Sequence, residues 1–577
     1  MYRTFIPGIL VLIGLFISIA GFSQVPAWEW SKRIGGANED EPLSITTDGQ
    51  GNIYTVGIFS GLVDFDPGPG IATLLSAGAT DVYISKLDIS GNYVWAKRVG
   101  GSTADFASVI ALDDSGNIYI KGLFSGTADF DPSGAFYNVT AISAYCTFIA
   151  KMDSACNLLW VDQFDASFNG GSNRSMIVHP NGSIYLTGEF TGSVDFDPGT
   201  GVVILNSAGT ADDIFFAKYS NLGSLEWVKQ LGSTSEESGV AIAPNASFNG
   251  AVFLAGDFFN TLDLNPFAST FNVTSAGQTD IFISSYNNLG VFIWGKRIGG
   301  TNYDVVTSMV VDSVSNAIYL TGYFSGTCDF NPDATVTYNL TAAGSADIFV
   351  LKLDNLGNFL WAKRIGGTDT EHGYAISVND VGNVVVTGDF KGTVDLDPSA
   401  GILNVTSNGV YDLFISEFDS QGNFIWAKTG GGINDDCVRT VDCDQSGNIY
   451  VGGYFESPSL FLAPLSLVNA GGTSGGKDVF ISKINGTTTS ILTLDNLSSM
   501  VIYPNPASNQ ITVNLPKTNH SQFTVTLTDL AGKEIYREIV EDKNELTLSV
   551  NDFSDGVYML KLEGVDYVEF KRLVVMK

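Results

Sequence analysis

Apolar and polar positions repeat with a long period along most of this chain. Seven tryptophans recur 65 to 67 residues apart, at Trp30, Trp95, Trp160, Trp227, Trp294, Trp361 and Trp426. Each period holds four apolar segments of strand length, separated by short runs rich in the Asp, Gly and Asn that tight hairpin turns require. In the second period these segments are 107–112, 117–124, 147–152 and 158–164. Four antiparallel strands, repeated seven times, predict an all-β chain with a seven-bladed β-propeller.

The phase of the repeats predicts how the ring closes. The first tryptophan segment, 28–34, precedes any complete period, and the last three segments, 438–443, 448–455 and 478–484, have no tryptophan segment after them. We therefore expect the N-terminal strand to complete the last blade and to leave no exposed sheet edge. The strands are apolar on both faces, which fits blades packed against each other, and an open array or a β-helix is the alternative.

The two ends of the chain differ from the repeats. Residues 1–23 combine a basic start, an apolar run and small residues before Gln24, which predicts a signal peptide cleaved after Ser23. An uncleaved membrane anchor is the alternative, and no later segment is apolar enough to span a bilayer. We assign residues 24–484 to the propeller and 485–496 to a polar linker. Alternating strand patterns in 497–577 predict a small Ig-like β-sandwich.

Composition narrows the range of partners. The 577 residues include 61 acidic and 29 basic side chains, a net charge of −32. Nucleic acid and anionic membrane surfaces are thereby disfavoured, because both require a positive patch. Three histidines and five cysteines exclude a histidine-rich metal centre and a dense disulfide scaffold. We expect the cysteines to be mostly buried free thiols.

The C-terminal segment carries motifs of a known family. They are Tyr503-Pro504-Asn505-Pro506-Ala507, Asp529-Leu530-Ala531-Gly532-Lys533, Gly556-Val557-Tyr558 and a basic end from Lys571 to Lys577. In this order they resemble the type A C-terminal sorting domain of type IX secretion in Bacteroidetes. The resemblance implies export through the periplasm by the type IX machinery and removal of the segment by a sortase-like peptidase. The product would be extracellular, either released or held at the outer-membrane surface.

The repeats also resemble a family, the SBBP-type β-propeller repeat of secreted bacterial proteins. The matching residues are Asp444-Gln445-Ser446-Gly447-Asn448-Ile449-Tyr450 with Gly453, and the phrase Trp361-Ala362-Lys363-Arg364-Ile365-Gly366-Gly367 with its copies. The resemblance supports the propeller and implies little about chemistry.

An Asp-x-Asp-Pro motif after the second strand is the first candidate site. Its four complete copies are Asp64/Asp66, Asp129/Asp131, Asp195/Asp197 and Asp395/Asp397. Two carboxylates at i and i+2 on an extended chain point the same way and can share Ca²⁺. The alternative is a turn in which the carboxylates cap backbone amides. We expect turn caps, because two carboxylates supply too few of the six to eight oxygens that Ca²⁺ takes.

A second acidic position lies ten residues after most tryptophans. It holds Asp40, Asp105, Glu237, Asp304, Glu371 and Asp436, with Gly170 as the exception. These carboxylates either attract cations around the channel mouth or cap local amides, and we expect the second. Lys32, Lys97, Lys229, Lys296, Lys363 and Lys428 follow the tryptophans by two residues, where lysine discourages edge pairing between molecules.

Catalysis finds little support in the sequence. We place His179 in a hairpin turn and His372 in a loop between blades, both as surface residues. Of the six arginines in the propeller, Arg33, Arg98, Arg297 and Arg364 belong to the repeated edge phrase, which leaves Arg174 and Arg439. The sequence predicts a non-catalytic surface or secreted binding module for a glycan or protein, with no catalytic, cofactor or metal residue assigned. An exported polysaccharide hydrolase or lyase on the same scaffold is the alternative.

Overall fold

The chain divides into two compact units, residues 1–487 and 488–577. The computed structural model describes residues 25–165, 175–245, 250–267, 269–399, 401–472 and 476–486 of the first unit. In the second it describes 501–503, 506–514, 522–529, 533–541, 543, 545–554, 556–563 and 568–577. The predicted signal peptide and nearly all of the predicted linker lie outside these ranges. Within the described ranges, no helix is long and apolar enough to cross a membrane.

The first unit opens with β1 (Trp28–Gly36), which belongs to the last blade. The next three blades follow in chain order, each with four main strands and a short hairpin between the second and third. Blade 1 comprises β2 (Glu41–Thr47), β3 (Ile53–Phe59), the hairpin β4 (Leu62–Asp64) and β5 (Thr73–Leu75), β6 (Asp81–Leu87) and β7 (Tyr93–Gly101). Blade 2 comprises β8 (Phe106–Leu112), β9 (Ile118–Phe124), β10 (Thr127–Asp129), β11 (Asn138–Thr140), β12 (Cys146–Met152) and β13 (Leu158–Phe164). Blade 3 comprises β14 (Ser175–Val178), β15 (Ile184–Phe190), β16 (Ser193–Asp195), β17 (Ile204–Asn206), β18 (Asp213–Tyr219) and β19 (Leu225–Leu231).

The remaining blades keep the same order of strands. Blade 4 comprises β20 (Glu237–Asn245), β21 (Ala251–Asp263), β22 (Asn272–Tyr286) and β23 (Phe292–Gly300), and its hairpin is continuous with the two central strands. Blade 5 comprises β24 (Asp304–Val311), β25 (Ile318–Phe324), β26 (Thr327–Asp329), β27 (Asn339–Thr341), β28 (Asp347–Leu353) and β29 (Phe359–Gly367). Blade 6 comprises β30 (Glu371–Val378), β31 (Val384–Phe390), β32 (Thr393–Asp395), β33 (Asn404–Thr406), β34 (Asp412–Phe418) and β35 (Phe424–Gly430). Blade 7 comprises β36 (Asp436–Cys443), β37 (Ile449–Phe455), β38 (Ser459–Leu462), β39 (Leu465–Val468), β40 (Asp478–Ile484) and β1.

These sheets form a closed ring. Among the described residues, seven four-stranded antiparallel sheets follow one another along the chain. The first strand of each blade contacts the first strand of the next. The contact of β2 with β36 joins blade 1 to blade 7. Apolar side chains fill the spaces between adjacent sheets, as where Val56 and Ile84 of blade 1 pack with Ile118 and Phe148 of blade 2. The β-propeller prediction is thereby confirmed.

The N-terminal strand closes the last blade, as the phase of the repeats predicts. β1 pairs antiparallel with β40, from Trp28 opposite Ile484 to Ile34 opposite Val479. Ile34 is buried in the apolar layer between blades 7 and 1. Arg33 of β1 also binds the buried Asp478 of β40, with 3.0 Å between Nη1 and Oδ2. Two parts of the sequence 445 residues apart thus form one sheet.

The hairpins join neighbouring blades. In four blades the hairpin pairs with the end of the outer strand of the preceding blade: β4 with β1, β10 with β7, β26 with β23 and β32 with β29. Each pairing falls on the Gly-Gly that ends the tryptophan phrase. A Cβ atom on Gly101 would lie 2.0 Å from the carbonyl oxygen of Thr127, so the crossing hairpin requires glycine there.

The tryptophans form a second link between blades at the opposite end. Trp30, Trp160, Trp227 and Trp361 each donate their indole N–H to a backbone carbonyl in the last hairpin turn of the next blade. The Asp-x-x-Gly-Asn turns at this end are closed by their own aspartates. In one of them, Asp88 Oδ1 accepts the amides of Ser90 and Asn92 at 2.9 and 2.8 Å.

The second unit consists of a three-stranded and a four-stranded sheet. The first contains β41 (Val501–Tyr503), β42 (Gln510–Asn514) and β45 (Glu545–Ser549). The second contains β43 (Gln522–Asp529), β44 (Glu534–Glu541), β46 (Gly556–Glu563) and β47 (Val568–Val575). Buried apolar residues from both sheets, among them Val513, Val525 and Leu573, form a core of their own. The alternating pattern of this segment accordingly folds as a small β-sandwich.

We expect the pairing of β1 to be necessary for a stable ring. Ile34→Ala should lower the free energy of unfolding by about 2–5 kcal/mol, because it opens a cavity between two blades. Deleting residues 24–36 should expose the edge of β40 and cause aggregation or a large fall in melting temperature. A permuted chain that carries 24–36 after Ile484, joined by a turn copied from 419–423, is the matched control and should recover the stability. Equal melting of the deleted and full-length propellers would contradict this role of β1.

Candidate functional site

The Asp-x-Asp-Pro motifs form hairpin turns. The sequence places them in a long loop, whereas the first aspartate of each complete copy ends a three-residue strand. Asp64 Oδ1 accepts the amides of Asp66 at 3.1 Å and Ala72 at 2.9 Å, and Asp66 Oδ1 accepts the amide of Gly68 at 2.8 Å. The same bonds recur at Asp129/Asp131, Asp195/Asp197 and Asp395/Asp397. The carboxylates therefore cap backbone amides.

Asp263 and Asp329 explain why a copy can lose its second aspartate. Each keeps the first carboxylate, and its Oδ1 accepts two backbone amides as Asp64 does. Asn265 and Asn331 then use their side-chain oxygens for the next amide. An amide oxygen serves this purpose as well as a carboxylate. Within the described part of the chain, no three His, Cys, Asp or Glu side chains come together in an arrangement that could hold a metal ion.

The second acidic position is buried at the junctions between blades. We call Asp40, Asp105, Glu237, Asp304, Glu371 and Asp436 the junction carboxyls. Each accepts the backbone amide of the residue four positions before it, at 2.6 to 3.2 Å. They cap the turn between two blades, as expected, and do not line an open channel. Gly170, the exception in the sequence, lies outside the described residues.

The arginines of the tryptophan phrase bind buried aspartates of the third strand of the same blade. Arg33, Arg98, Arg297 and Arg364 pair with Asp478, Asp81, Asp280 and Asp347. Sequence reasoning missed these partners, although Arg98, Arg297 and Arg364 each follow their aspartate by 17 residues. The lysines two residues after tryptophan contact neighbouring aromatic rings in two blades. Lys428 lies 5.4 Å from the centroid of Trp28 and Lys229 lies 4.8 Å from that of Phe267.

Three equivalent positions per blade lie at the start of the first strand and the end of the second, at the end of the ring where the hairpins leave, which we call the mouth. The first follows the junction carboxyl, the second is paired with it across the sheet, and the third is a β-bulge residue in the first strand. In the six blades whose first strand is described to its start, the three are Glu41, Ile58 and Leu43; Phe106, Leu123 and Ser108; Ser238, Asp257 and Val240; Val305, Tyr323 and Thr307; His372, Asp389 and Tyr374; and Cys437, Tyr454 and Arg439.

The side chains at the mouth differ in kind between the two sides of the ring. Blades 1 and 2 present mainly aliphatic and phenyl side chains there, whereas blades 5 to 7 present Tyr323, His372, Tyr374, Arg439 and Tyr454. Together with Tyr411, which directly precedes the third strand of blade 6, we call these six residues the aromatic arc. Because the core positions of the blades are closely similar, folding does not account for this concentration of aromatic and charged groups. The arc is the strongest candidate for a functional surface.

His372 lies at the centre of the arc. It is the second residue of β30 and not part of a loop between blades, so the sequence placement was wrong. Its Nδ1 lies 2.8 Å from Oδ1 of Asp389, and its side chain is 24% exposed. The ring centroids of Tyr323, Tyr374 and Tyr411 lie 5.3, 5.7 and 5.8 Å from the imidazole. The imidazole is thereby oriented by one carboxylate and three rings.

Arg439 holds the other half of the arc. Its guanidinium carbon lies 4.6 Å from the centroid of Tyr374 and 5.3 Å from that of Tyr454. Its Nε donates to Oε1 of Glu41 at 3.1 Å, across the seam between blades 7 and 1. Lys477 lies 3.7 Å from the other oxygen of Glu41 and 4.3 Å from the centroid of Tyr454. A cation between two rings is held rigidly, which fixes the tyrosine faces.

Burial keeps the tyrosine hydroxyls of the arc protonated. Burial, and next the nearby Asp389, raise the pKa of Tyr374 well above the ordinary value, so its hydroxyl stays protonated and can donate. Burial likewise raises the pKa of Tyr411. The thiol of Cys437 is buried, and burial raises its pKa far above the range in which a thiolate forms. The arc can therefore donate and accept hydrogen bonds, but this thiol is no nucleophile.

All five cysteines are free, as expected. Cys146, Cys156, Cys328 and Cys437 are buried and Cys443 is partly buried. His179 lies in the hairpin turn closed by its own amide and the carbonyl of Ser183, as the sequence predicts. Arg174 lies outside the described residues.

Comparison with known proteins identifies both parts of the chain. Residues 501–576 match the secretion system C-terminal sorting domain, and residues 29–57 and 293–323 match a β-propeller repeat. The chain thus contains β-propeller repeats and a C-terminal secretion sorting domain. The sorting domain belongs to type IX secretion, so the protein is exported and is secreted or displayed at the cell surface.

Two curated proteins are similar over part of the chain. An uncharacterized WD repeat-containing protein of Acanthamoeba polyphaga mimivirus is 24% identical over 517 residues, covering 76% of this chain and 37% of that protein. The regulatory protein FlaEY of Caulobacter vibrioides is 27% identical over 192 residues, covering 33% of this chain and 19% of that protein. The chain thus spans well under half the length of these relatives.

We predict that the hairpin aspartates act as turn caps without Ca²⁺. Asp64→Ala should cost about 0.5–2 kcal/mol, by analogy with lost helix caps, because two amides lose their acceptor. Thr73→Ala, on the exposed partner strand of the same hairpin, is the matched control and should cost less. A chelator should leave the melting temperature unchanged. A Ca²⁺-dependent rise of several degrees that Asp64→Ala reduces would show that the loops bind the ion.

Proposed function

We propose that this exported propeller is a non-catalytic binding module that holds an extracellular glycan against the aromatic arc. The observation that carries the proposal is the uneven distribution of side chains around the mouth. Aromatic and charged side chains that the fold does not require are concentrated in blades 5 to 7. Binding surfaces of folded scaffolds are often placed in such variable positions on a rigid frame.

The chemistry of the arc suits a neutral, polyhydroxylated ligand. Tyrosine rings offer flat apolar faces with a hydroxyl at the edge, which can stack on a sugar ring and bond its hydroxyls. Asp389 and Glu41 add acceptors, while Arg439 and Lys477 add donors. Glu41 is already paired with Arg439 and Lys477, and Asp389 is hydrogen-bonded to His372. A strongly charged ligand would have to break these pairs, whereas a neutral glycan would not.

An exported hydrolase or lyase acting on polysaccharide is the second candidate. The pair of His372 and Asp389 favours it, because an imidazole oriented by a carboxylate is a common general base. Against it, the carboxyls buried at the junctions are committed to backbone amides, and the Cys437 thiol is not reactive. We therefore prefer binding without turnover.

Binding to a glycan array, with a reducing-sugar assay on each bound glycan, tests this function. Tyr323→Ala and Tyr411→Ala should each weaken binding about tenfold or more, since a well-packed aromatic contact contributes on the order of 1–2 kcal/mol. Ile58→Ala, at the position in blade 1 that corresponds to Tyr323, is the matched control and should bind normally. Release of reducing ends that is abolished by His372→Gln would support the enzyme instead. Normal binding by both tyrosine variants would move the site elsewhere.

We infer further that the type IX machinery recognises the C-terminal sandwich in the periplasm and that a sortase-like peptidase then removes it. The sandwich has its own core, and the propeller has a closed ring, so neither unit needs the other to bury its apolar surface.

Removal of residues 497–577 should therefore leave a folded propeller that stays in the periplasm of a type IX-competent host. Cell fractionation and the melting temperature of the purified truncated protein measure the two parts of this expectation. Full-length protein in the same host is the control. Surface display of the truncated chain would contradict the inferred sorting role, and an unfolded product would contradict the independence of the propeller.

A further inference from the structure

Two buried carboxyl groups meet at almost every junction between blades. Each junction carboxyl faces the arginine- or amide-bound aspartate of the third strand of the preceding blade. Six such pairs occur among the described residues: Asp478 with Asp40, Asp81 with Asp105, Asp213 with Glu237, Asp280 with Asp304, Asp347 with Glu371, and Asp412 with Asp436. At the junction of blades 2 and 3, Cys146 replaces the aspartate.

The two members of a pair approach the same point of the backbone. A Cβ atom on Gly100 would lie 2.8 Å from Cγ of Asp81 and 3.0 Å from Oδ2 of Asp105. A Cβ atom on Gly299 would lie 2.3 Å from Cγ of Asp280. The first glycine of the Gly-Gly phrase thus makes room for one carboxyl group, and the amide of the second glycine donates to the other.

Every pair contains a buried carboxyl oxygen without a hydrogen bond of normal geometry, although the Cys328 thiol lies against Asp304. These oxygens are Asp478 Oδ1, Asp81 Oδ1, Asp213 Oδ1, Asp280 Oδ1 with Asp304 Oδ1, Glu371 Oε1 and Asp412 Oδ1. The surrounding donors are used on the other oxygen: Asp280 Oδ2 accepts Arg297 and the amide of Ala276, and Asp304 Oδ2 accepts the amide of Gly300. A buried carboxylate oxygen without a donor is costly, and so are two adjacent negative charges. A proton on one carboxyl group, donated to the other, removes both costs.

We propose that each of these six junctions holds one proton shared between its two carboxyl groups, and that these protons hold neighbouring blades together in acid and are lost as the pH rises.

The charges around each pair decide which member carries the proton. Burial raises the pKa of Asp478, Asp81 and Asp280, and the bound Arg33, Arg98 and Arg297 oppose that rise, which favours the proton on the junction carboxyl of these pairs. Arg364 binds Asp347 in the same way. Gln230 binds Asp213, and Asn408 binds Asp412, in place of an arginine. Other titratable groups also face single pairs: Tyr83 faces Asp40, Cys328 faces Asp304, and Asp369, His372 and Tyr411 face Glu371.

The junction carboxyls have the titration behaviour that this arrangement requires. Burial first, and the partner carboxylate in addition, raise the pKa to about 7 for Asp40, Glu237, Asp304, Glu371 and Asp436, and to about 6 for Asp105. A pKa raised by folding means that the folded ring binds more protons than the unfolded chain. The stabilisation is complete below the ordinary carboxyl pKa of about 4 and is lost as the pH rises through about 7. Between these two pH values, each proton that the folded ring binds and the unfolded chain does not makes the unfolding equilibrium constant rise about tenfold for each unit of increase in pH.

Tryptophan fluorescence of the full mature chain can measure the stability of the propeller as a function of pH. All eight tryptophans lie between residues 28 and 426, so their fluorescence reports unfolding of the propeller and not of the sandwich. Denaturant unfolding should be followed at a series of values from about pH 5 to about pH 8.5, with and without chelator. We expect the midpoint to fall steadily with rising pH and to be unaffected by chelator.

Asp304→Asn tests one junction directly. The amide oxygen can still accept the Gly300 amide, and its N–H₂ can donate permanently to Asp280 without a titrating proton. The variant should therefore show a weaker pH dependence, by about tenfold per pH unit in the unfolding constant, and should be more stable than the parent at high pH. Asp333→Asn, an exposed aspartate of the same blade, is the control and should keep the parent's pH dependence. Glu237→Gln repeats the test at a second junction and replaces Asp304→Asn if that variant does not fold.

Three results would overturn the proposal. The first is a parent propeller whose stability is constant or rises between about pH 5 and about pH 8.5. The second is an unchanged pH dependence in both amide variants. The third is a loss of stability with chelator at fixed pH, which would assign the space between the carboxyl groups to a bound cation.

Discussion

The pairing of β1 with β40 is the interaction on which the rest of the propeller depends. Each blade is apolar on both faces, so no blade is buried until it has a neighbour on each side. Six blades obtain all four strands from one stretch of chain, but the seventh is complete only when the two ends of the repeat region meet. Ring closure then buries the last two apolar layers together. It also removes the open sheet edge that would otherwise template association.

Closure also assembles the candidate site. Arg439 and Glu41 are 398 residues apart and meet only across the closed seam, where their bond helps to hold the guanidinium between Tyr374 and Tyr454. Thr47 and Asp442 bond across the same seam at 2.8 Å, which fixes blade 1 against blade 7. The aromatic arc thus borders the one joint of the ring that is made by chain ends. Its geometry and the stability of the ring rest on the same contacts.

The sequence predicts the propeller well because the information is repeated. Seven copies of the tryptophan phrase set the period, and the phase of the first and last copies identifies the closing strand. The structure explains most residues of the tryptophan phrase. The tryptophan donates a hydrogen bond to the next blade, and the arginine pairs with a buried aspartate. The first glycine makes room for a carboxyl group and the second for a crossing hairpin. The hairpin itself was not predicted, since three-residue strands such as Leu62–Asp64 are too short for a periodicity to be recognised.

The candidate site was missed for the opposite reason. A search for function among repeated residues finds Asp-x-Asp-Pro and the junction carboxyls, and both cap backbone amides in every blade that has them. His372 and Arg439 each occur in one blade alone. In the linear sequence, such residues are indistinguishable from random divergence of one repeat copy from the common pattern. Only the register of the blades shows that they occupy equivalent positions around one mouth. In a repeat protein, a comparison of the variable positions between aligned periods would have indicated the arc.

The free cysteines show how this exported protein is stabilised. Extracellular proteins commonly rely on disulfides when their cores are small. Here Cys146 takes the place of a buried junction aspartate, and Cys328 lies in a hairpin strand beside Asp304, so both are enclosed by neighbouring blades and have no partner thiol. A ring of seven sheets buries enough apolar surface to make cross-links unnecessary. What the ring requires is that the polar groups buried at each junction be compensated. Arginine binds the third-strand aspartate at four junctions, and Gln230 and Asn408 bind it at two others. At the seventh junction, the buried thiol of Cys146 needs no counter-charge.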